Sequence, residues 1–248
     1  MEQECPICKG AGFVHPLLPS GRPDFTRVVP CRCTKEELDG ERLSRLQRES
    51  GDLELELLGK MTFQNFDRRR LNLPLEQQEN LERAFRLARD FAEAPEGWLV
   101  LQGPTGCGKT HLAAAIANYQ LQKGKPVFFK VVPDLLDYLR STFNPESKVT
   151  YDELFERVRS APLLILDDFG KQASTPWAQE KLYQVINYRY NARLPTVITT
   201  RLPLEDIEIE ISSRMIDPKV STVFGIIAPD YRGDHTTTQR KKPMRRTR

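Results

Sequence analysis

Five short apolar runs recur along the chain, each bounded by glycine, proline or a polar cluster: Trp98–Gln102, Lys125–Val132, Pro162–Leu166, Pro195–Thr200 and Ser221–Ala228. Runs that are continuous rather than alternating suit strands buried on both faces. Between them lie helical stretches. From Pro74, Leu81, Phe85, Ala88 and Phe91 share one helical face, up to a stop at Ala94–Gly97. His111–Gln122, Pro133–Leu139, Tyr151–Arg159 and Trp177–Arg193 read as further helices, with a polar break at Asn144–Pro145 and a short helix at Leu204–Ile207. Strands alternating with helices predict an α/β domain: a parallel five-stranded sheet flanked by helices.

Upstream of Pro74 the pattern weakens. Thr34–Ser50 is charged, with Leu38, Leu43 and Leu46 on a partial stripe, and reads as an amphipathic helix. Thr34 and Glu37 stand in capping-box positions, and Gly51 ends the segment. Asp52–Leu58 alternates leucine with acid and is expected to be extended. The aromatic stretch Thr62–Asp67 is expected to bury Phe63 and Phe66 in the core, with contact to a nucleotide base as the alternative.

Composition narrows the class. The chain has 248 residues, 29% charged and 39% hydrophobic, enough for one α/β domain and a small appendage. No apolar run nears the ~20 residues that cross a bilayer. The N-terminus lacks the basic and apolar regions of a signal peptide, so a cytoplasmic protein without disulfides is expected. Six of the charges behind the net +3 lie at Arg240, Lys241, Lys242, Arg245, Arg246 and Arg248, which leaves the body at −3. The tail is expected to be disordered, and either a phosphate-contacting arm or a solubilising terminus.

The chemistry is concentrated in three places. Gly103-Pro104-Thr105-Gly106-Cys107-Gly108-Lys109-Thr110 fits G-x-x-x-x-G-K-[ST] between a strand and a helix. Its glycines let backbone N–H groups surround phosphate oxygens at a helix N-terminus, Lys109 would reach the β- and γ-phosphates, and the Thr110 hydroxyl would ligate Mg²⁺. Cys107 tolerates many residues and reads as incidental. The buried run at 163–166 ends in Asp167-Asp168, a Walker B pattern: Asp167 would hold Mg²⁺ and Asp168 would orient or deprotonate the attacking water. The strand ending Thr199-Thr200-Arg201 would lie between these two motifs and face the γ-phosphate. Third, Cys5-Pro-Ile-Cys8 and Cys31-Arg-Cys33 offer four thiolates in two close pairs, suited to tetrahedral Zn²⁺, with Gly10 and Gly12 allowing the backbone to bend around sulfur. An iron–sulfur site or reduced, solvent-facing thiols are the alternatives.

This order of parts resembles an AAA+ P-loop ATPase, and more narrowly the DnaC/DnaI helicase loaders and their relative IstB. The resemblance rests on Thr62–Asp67, the phosphate loop, Leu163–Gly170, Ser213-Arg214 and Asp230-Tyr-Arg232, with the cysteine pattern resembling the zinc module of DnaI-type loaders. It implies ATP, Mg²⁺ and Zn²⁺ as cofactors, ATP hydrolysis, and loading of a replicative hexameric DnaB-type helicase onto single-stranded DNA. It further implies an ATP-dependent homo-oligomer in which Arg214 reaches a neighbour's site. The family carries Asn where this chain has Arg201, leaving Thr200 or Arg201 to sense the γ-phosphate, and Arg232 would be a second sensor. The alternatives are an IstB-like regulator of transposition and a zinc-bearing chaperone-like ATPase. The expected layout is a zinc module at 1–33, a connector at 34–60, the ATPase at 61–233 and the basic tail at 234–248.

Overall fold

A computed structural model of the chain describes residues 5–35, 41, 45–46, 49–51, 56–70, 72–144, 150–170 and 175–233. The basic tail lies outside the described residues. At the centre is a five-stranded, wholly parallel sheet built from β3 (Trp98–Gln102), β4 (Phe128–Val131), β5 (Leu164–Phe169), β6 (Thr196–Thr200) and β7 (Ser221–Gly225), in the order β4-β5-β6-β3-β7. β6 lies between β3 and β5, so the third polar strand end stands between the two nucleotide motifs.

Helices cover both faces. α2 (Leu75–Glu93) buries Leu81, Ala84, Phe85, Ala88 and Ala92 against α3 (Lys109–Gln122), whose 112–117 stretch is buried all round because it is wedged between α2 and the sheet. On the other face α4 (Val132–Ser141), α5 (Tyr151–Ser160), α6 (Pro176–Asn191) and α7 (Ile209–Met215) pack around Trp98, Leu164 and Ile198. Small residues on α3 (Ala113, Ala114, Ala115, Ala117) allow its close approach to the strands.

Three local expectations change. Thr34 is not a helix cap: residues 32–35 are already helical and Lys35 N donates to Cys31 O at 2.9 Å, so the boundary falls at the cysteine; Glu37 lies outside the described residues. The Asp52–Leu58 alternation does not run on as an extended segment to its end, because α1 (Glu56–Gly59) is helical. There the Asn118 side-chain amide of α3 donates to Leu58 O at 2.9 Å and Met61 O at 2.8 Å, so a tertiary contact overrides the local pattern. β7 ends at Gly225, and residues 226–233 continue as an extended segment and a 3₁₀ turn beside the phosphate loop.

One buried cation fastens the end of the sheet remote from that loop. Arg189 of α6 is 0% exposed and donates to Thr196 Oγ1 at 2.9 Å and to the carbonyls of Arg159, Ala161 and Pro195 at 3.0, 2.7 and 2.5 Å. Burial brings its guanidinium down to about 9. Every acceptor is neutral, so its removal leaves three main-chain carbonyls without this donor. Each orphaned group costs roughly 1–3 kcal/mol, and Arg189→Leu is expected to destabilise the domain by about 3–5 kcal/mol in urea unfolding.

The N-terminal module contains a short antiparallel pair, β1 (Phe13–Val14) and β2 (Val29–Pro30), and Cys31 N bonds to Gly12 O at 2.8 Å. Among its described residues only Cys8, Asp24 and Cys31 are buried, while Ile7, Phe13, Leu17, Phe25 and Val28 are exposed. A segment with so little core needs another source of stability. Next to it, Gly51 bridges to Phe129, and Phe129 N donates to Ser50 O at 2.9 Å, which docks the connector on the β4 edge.

Candidate functional site

The phosphate loop joins β3 to α3. Gly106 (φ 73°) and Gly108 (φ 107°) take left-handed conformations that side-chain-bearing residues avoid, and these turns point the loop amides inward above the α3 N-terminus. Lys109 is buried, and its Nζ donates to Gly103 O and Pro104 O at 2.8 Å each, folded over its own loop. Burial pushes the Cys107 thiol up, against the pull of that ammonium 3.7 Å from its Sγ. Thr105 is exposed.

The Walker B acid meets the loop directly. The Thr110 hydroxyl donates to the Asp167 carboxylate, 3.0 Å from Oδ1 and 2.9 Å from Oδ2. Thr199 Oγ1 donates to Asp167 Oδ1 at 2.6 Å and accepts from Asp168 N at 3.0 Å. Asp167 is buried, and burial pushes its carboxyl up against the opposing hydrogen bonds from Thr199 and Thr110. A one-residue bulge produces this geometry. Leu166 pairs with Ile198 but Phe169 with Thr200, so β5 carries one residue more than β6 at this point, and Asp168 sits at φ 53°. The bulge carries two acids on the same strand end. Thr110 Oγ1 and the Asp167 carboxylate form a hard-oxygen pair suited to Mg²⁺ completed by waters and phosphate oxygens.

The sensor end of β6 is arranged differently from expectation. Thr200 is buried, its hydroxyl accepts from Leu202 N at 3.0 Å, and its carbonyl accepts from Gly103 N at 3.1 Å. Its side chain closes a turn, while Thr199 touches the acid. Arg201 is exposed. Arg214 lies outside this cluster: its guanidinium donates to Asn187 Oδ1 at 2.9 Å and to Glu210 O, over the Tyr183 ring at 5.1 Å.

A cavity of about 290 Å³ opens beside the loop, lined among others by Leu57, Met61, Phe66, Lys109 and Tyr231. Both phenylalanines pack against the core, Phe63 fully buried and Phe66 partly, the latter stacked on Phe85 at 6.0 Å. Phe63 packs in the core against Phe85 and Tyr119, whereas Phe66 lines the cavity, and a methyl group at Gly108 would lie 2.9 Å from its ring. His111 ties this wall to α3: Nε2 is 3.0 Å from both Thr62 O and Asn65 Oδ1, the ring is edge-on to Phe66, and burial lowers its basicity. The sequence marks Thr199 only as part of the strand end Thr199-Thr200-Arg201, and assigns no role of its own to it or to His111, Asn65 or Arg70. Of these, Arg70 alone lies outside every stretch the sequence singles out or its immediate neighbours.

At the other end of the chain, the ligating atoms of Cys5, Cys8, Cys31 and Cys33 lie within 4.8 Å of one another. Sulfur separations are 3.8 Å for Cys5–Cys31 and 3.5 Å for Cys8–Cys33. A tetrahedron with Zn–S near 2.3 Å has edges of about 3.8 Å, so the four sulfurs fit zinc. The amides of Cys8 and Ile7 bring the Cys5 thiol down to about 6, while sharing with Cys8 pushes Cys33 up to about 12.

Residues 38–222 match the family model described as IstB-like ATP binding protein. A Replicative helicase loader DnaC from Buchnera aphidicola subsp. Baizongia pistaciae is 31% identical over 118 residues, 48% of this chain and 48% of that one. The match thus spans about half the length of that curated relative. The Escherichia coli K12 protein of the same name is 26% identical over 208 residues, 77% of this chain and 84% of that one. A crystal structure of DnaI superposes with a TM-score of 0.56 at 23% identity, covering 74% of this chain and 98% of that one, and has the same fold. Among the described residues no helix is long and apolar enough to cross a membrane.

Proposed function

We propose that this chain, which belongs to the family of IstB-like ATP binding proteins, hydrolyses ATP and uses the turnover to load a replicative hexameric helicase onto single-stranded DNA in the cytoplasm. The observation that carries the catalytic part is the Thr110–Asp167–Thr199 contact beside the phosphate loop. The loop amides and Lys109 would hold the phosphates, which requires Lys109 to leave its carbonyl partners. Thr110 and Asp167 would hold Mg²⁺, which when bound neutralises charge that develops on the transferred phosphate. Thr199 keeps the Asp167 carboxylate aimed at Thr110. Asp168, next to Asp167 on the bulge, would orient the attacking water. Arg214, on α7, would serve a neighbouring protomer's site, because its own chain holds it against Asn187 and Tyr183 of α6, outside the Asp167 cluster.

The loader reading draws on the names of the relatives and on the cysteine module, which lies outside the span of the family match. The DNA part draws on one surface. Exposed Phe143 stacks on half-buried Tyr151 at 5.3 Å, which rests in turn on the core residue Phe155 at 5.4 Å, while Arg140 lies over Trp177 at 4.9 Å and Lys181 over Tyr151 at 5.4 Å. Aromatic rings interleaved with cations suit unstacked bases, each worth about 1–3 kcal/mol. ATPase rates of the purified chain should rise with single-stranded DNA, and a DnaB-type helicase should be retained in pull-down. Phe143→Ala is expected to weaken single-stranded DNA binding by about tenfold or more. Retention of a transposase instead of the helicase would shift the reading to a regulator of transposition, and no DNA effect with no helicase capture would sink the loader role.

A further inference from the structure

The geometry points to Tyr231, on the strap that follows β7, as a nucleotide-binding residue, with Asp230, Arg70 and Asn80 as positioning residues. This inference rests on the ATP-binding reading and extends it to Tyr231, to which the sequence assigns no role.

The strap tracks the phosphate loop along its length. Gln102 pairs with Gly225, Ile226 N donates to Gln102 O at 2.7 Å, and Tyr231 N donates to Gly106 O at 3.0 Å. The chain that leaves the sheet edge thus hydrogen-bonds to the loop itself. Asp230 lies against Gly106 so closely that a methyl group there would collide with its carboxylate. The same carboxylate accepts from Arg232 N at 2.9 Å and caps the turn at 231–233. That turn aims Tyr231 into the cavity beside Lys109 and Phe66.

Two residues from the start of the domain fasten the strap. Asn80 of α2 donates to Gly225 O at 2.9 Å and accepts from Ile227 N at 3.0 Å, satisfying both main-chain groups where β7 ends. Arg70 is buried, donates to Pro229 O at 2.8 Å, and places its guanidinium over the Tyr231 ring at 5.3 Å. Arg70 and Tyr231 both line the cavity. The pair presents a flat, cation-backed wall, complementary to a base or ribose. Because strap docking and loop conformation share the Tyr231–Gly106 hydrogen bond, nucleotide binding and strap docking must favour one another reciprocally.

The test is titration of the full-length chain and its variants with fluorescent N-methylanthraniloyl-ADP and Mg²⁺. Removing residues 229–248 or making Tyr231→Ala is expected to weaken binding about tenfold, and Asp230→Ala about threefold. Removing 234–248 alone, which spares the strap, should change nothing. Equal affinity for the full-length chain and the 229–248 deletion overturns the inference. If that deletion fails to fold, hydrogen exchange in the full-length chain decides: ADP should slow exchange across 226–233, and unchanged exchange there overturns the role. A full-length chain that binds no nucleotide overturns both this inference and the ATP reading, whereas normal binding with no strap effect overturns this one alone.

Discussion

Asp167→Asn is expected to lower ATP turnover by on the order of 10²-fold or more and to raise the melting temperature. The loss follows from chemistry, because an amide is a poor Mg²⁺ ligand and the carboxylate that meets Thr110 is the acid best placed to hold the ion. The gain follows from burial. Asp167 has its carboxyl raised chiefly by desolvation, which outweighs the hydrogen bonds from Thr199 and Thr110 and the pull of Lys109. An acid raised in this way stabilises the fold below its unfolded-state value and loses that contribution as pH climbs through the folded-state value. Near neutrality the ionised group is therefore a net cost to the nucleotide-free protein, and asparagine removes it. A gain of about 0.5–2 kcal/mol, worth roughly 2–4 °C per kcal/mol in a domain of this size, is expected. The variant and the parent should converge in melting temperature as pH falls, because the parent's carboxyl is then neutral too. Thermal scans at several pH values check this, and a variant less stable than the parent at neutral pH would show that the hydrogen bonds outweigh desolvation.

Removing zinc is expected to unfold the N-terminal module while nucleotide binding by the rest of the chain persists. The module's described residues bury little besides two of the four cysteines, and large apolar side chains such as Leu17 (70%) and Phe25 (75%) stay in water. Structural zinc contributes about 10–16 kcal/mol at neutral pH in small domains, far more than this packing could supply. Cys8→Ser replaces one corner of the tetrahedron and should abolish stoichiometric zinc, with loss of dispersed NMR signals for residues 5–35. Fluorescent ADP titration should be unchanged, because the phosphate loop, Asp167 and the adjoining cavity draw on residues 57–232. Metal analysis that finds iron in place of zinc would reassign the site, and no metal with an intact module would remove it.

How far the molecule was legible depended on how local each feature is. The phosphate loop, the strand before it and the helix after it are contiguous in sequence, and their geometry comes from glycine conformations and the start of a helix. The five apolar runs were legible because parallel strands are buried on both faces, and the position of β6 between β3 and β5 followed from those motifs. The four cysteines were legible as pairs, and folding brought the pairs together at zinc-like distances.

What the sequence alone determined, then, was the element types, the two nucleotide motifs and the cysteine set, each carried by residues close in the chain. Tertiary structure decided which neighbour takes which part. Thr199 and Thr200 alternate across the sheet; the Leu166–Ile198 register sets Thr199 beside Asp167, and the one-residue bulge that follows in β5 brings Asp168 N to the same hydroxyl. Phe63 is fully buried while Phe66, three residues on, keeps one side on the core and gives the other to the cavity, where His111 and Gly108 adjoin it. The strap reaches the phosphate loop from more than a hundred residues away and meets it only because β7 pairs with β3. Period and propensity report the neighbourhood of a residue along the chain, whereas register and long-range hydrogen bonds arise only when distant segments share one sheet.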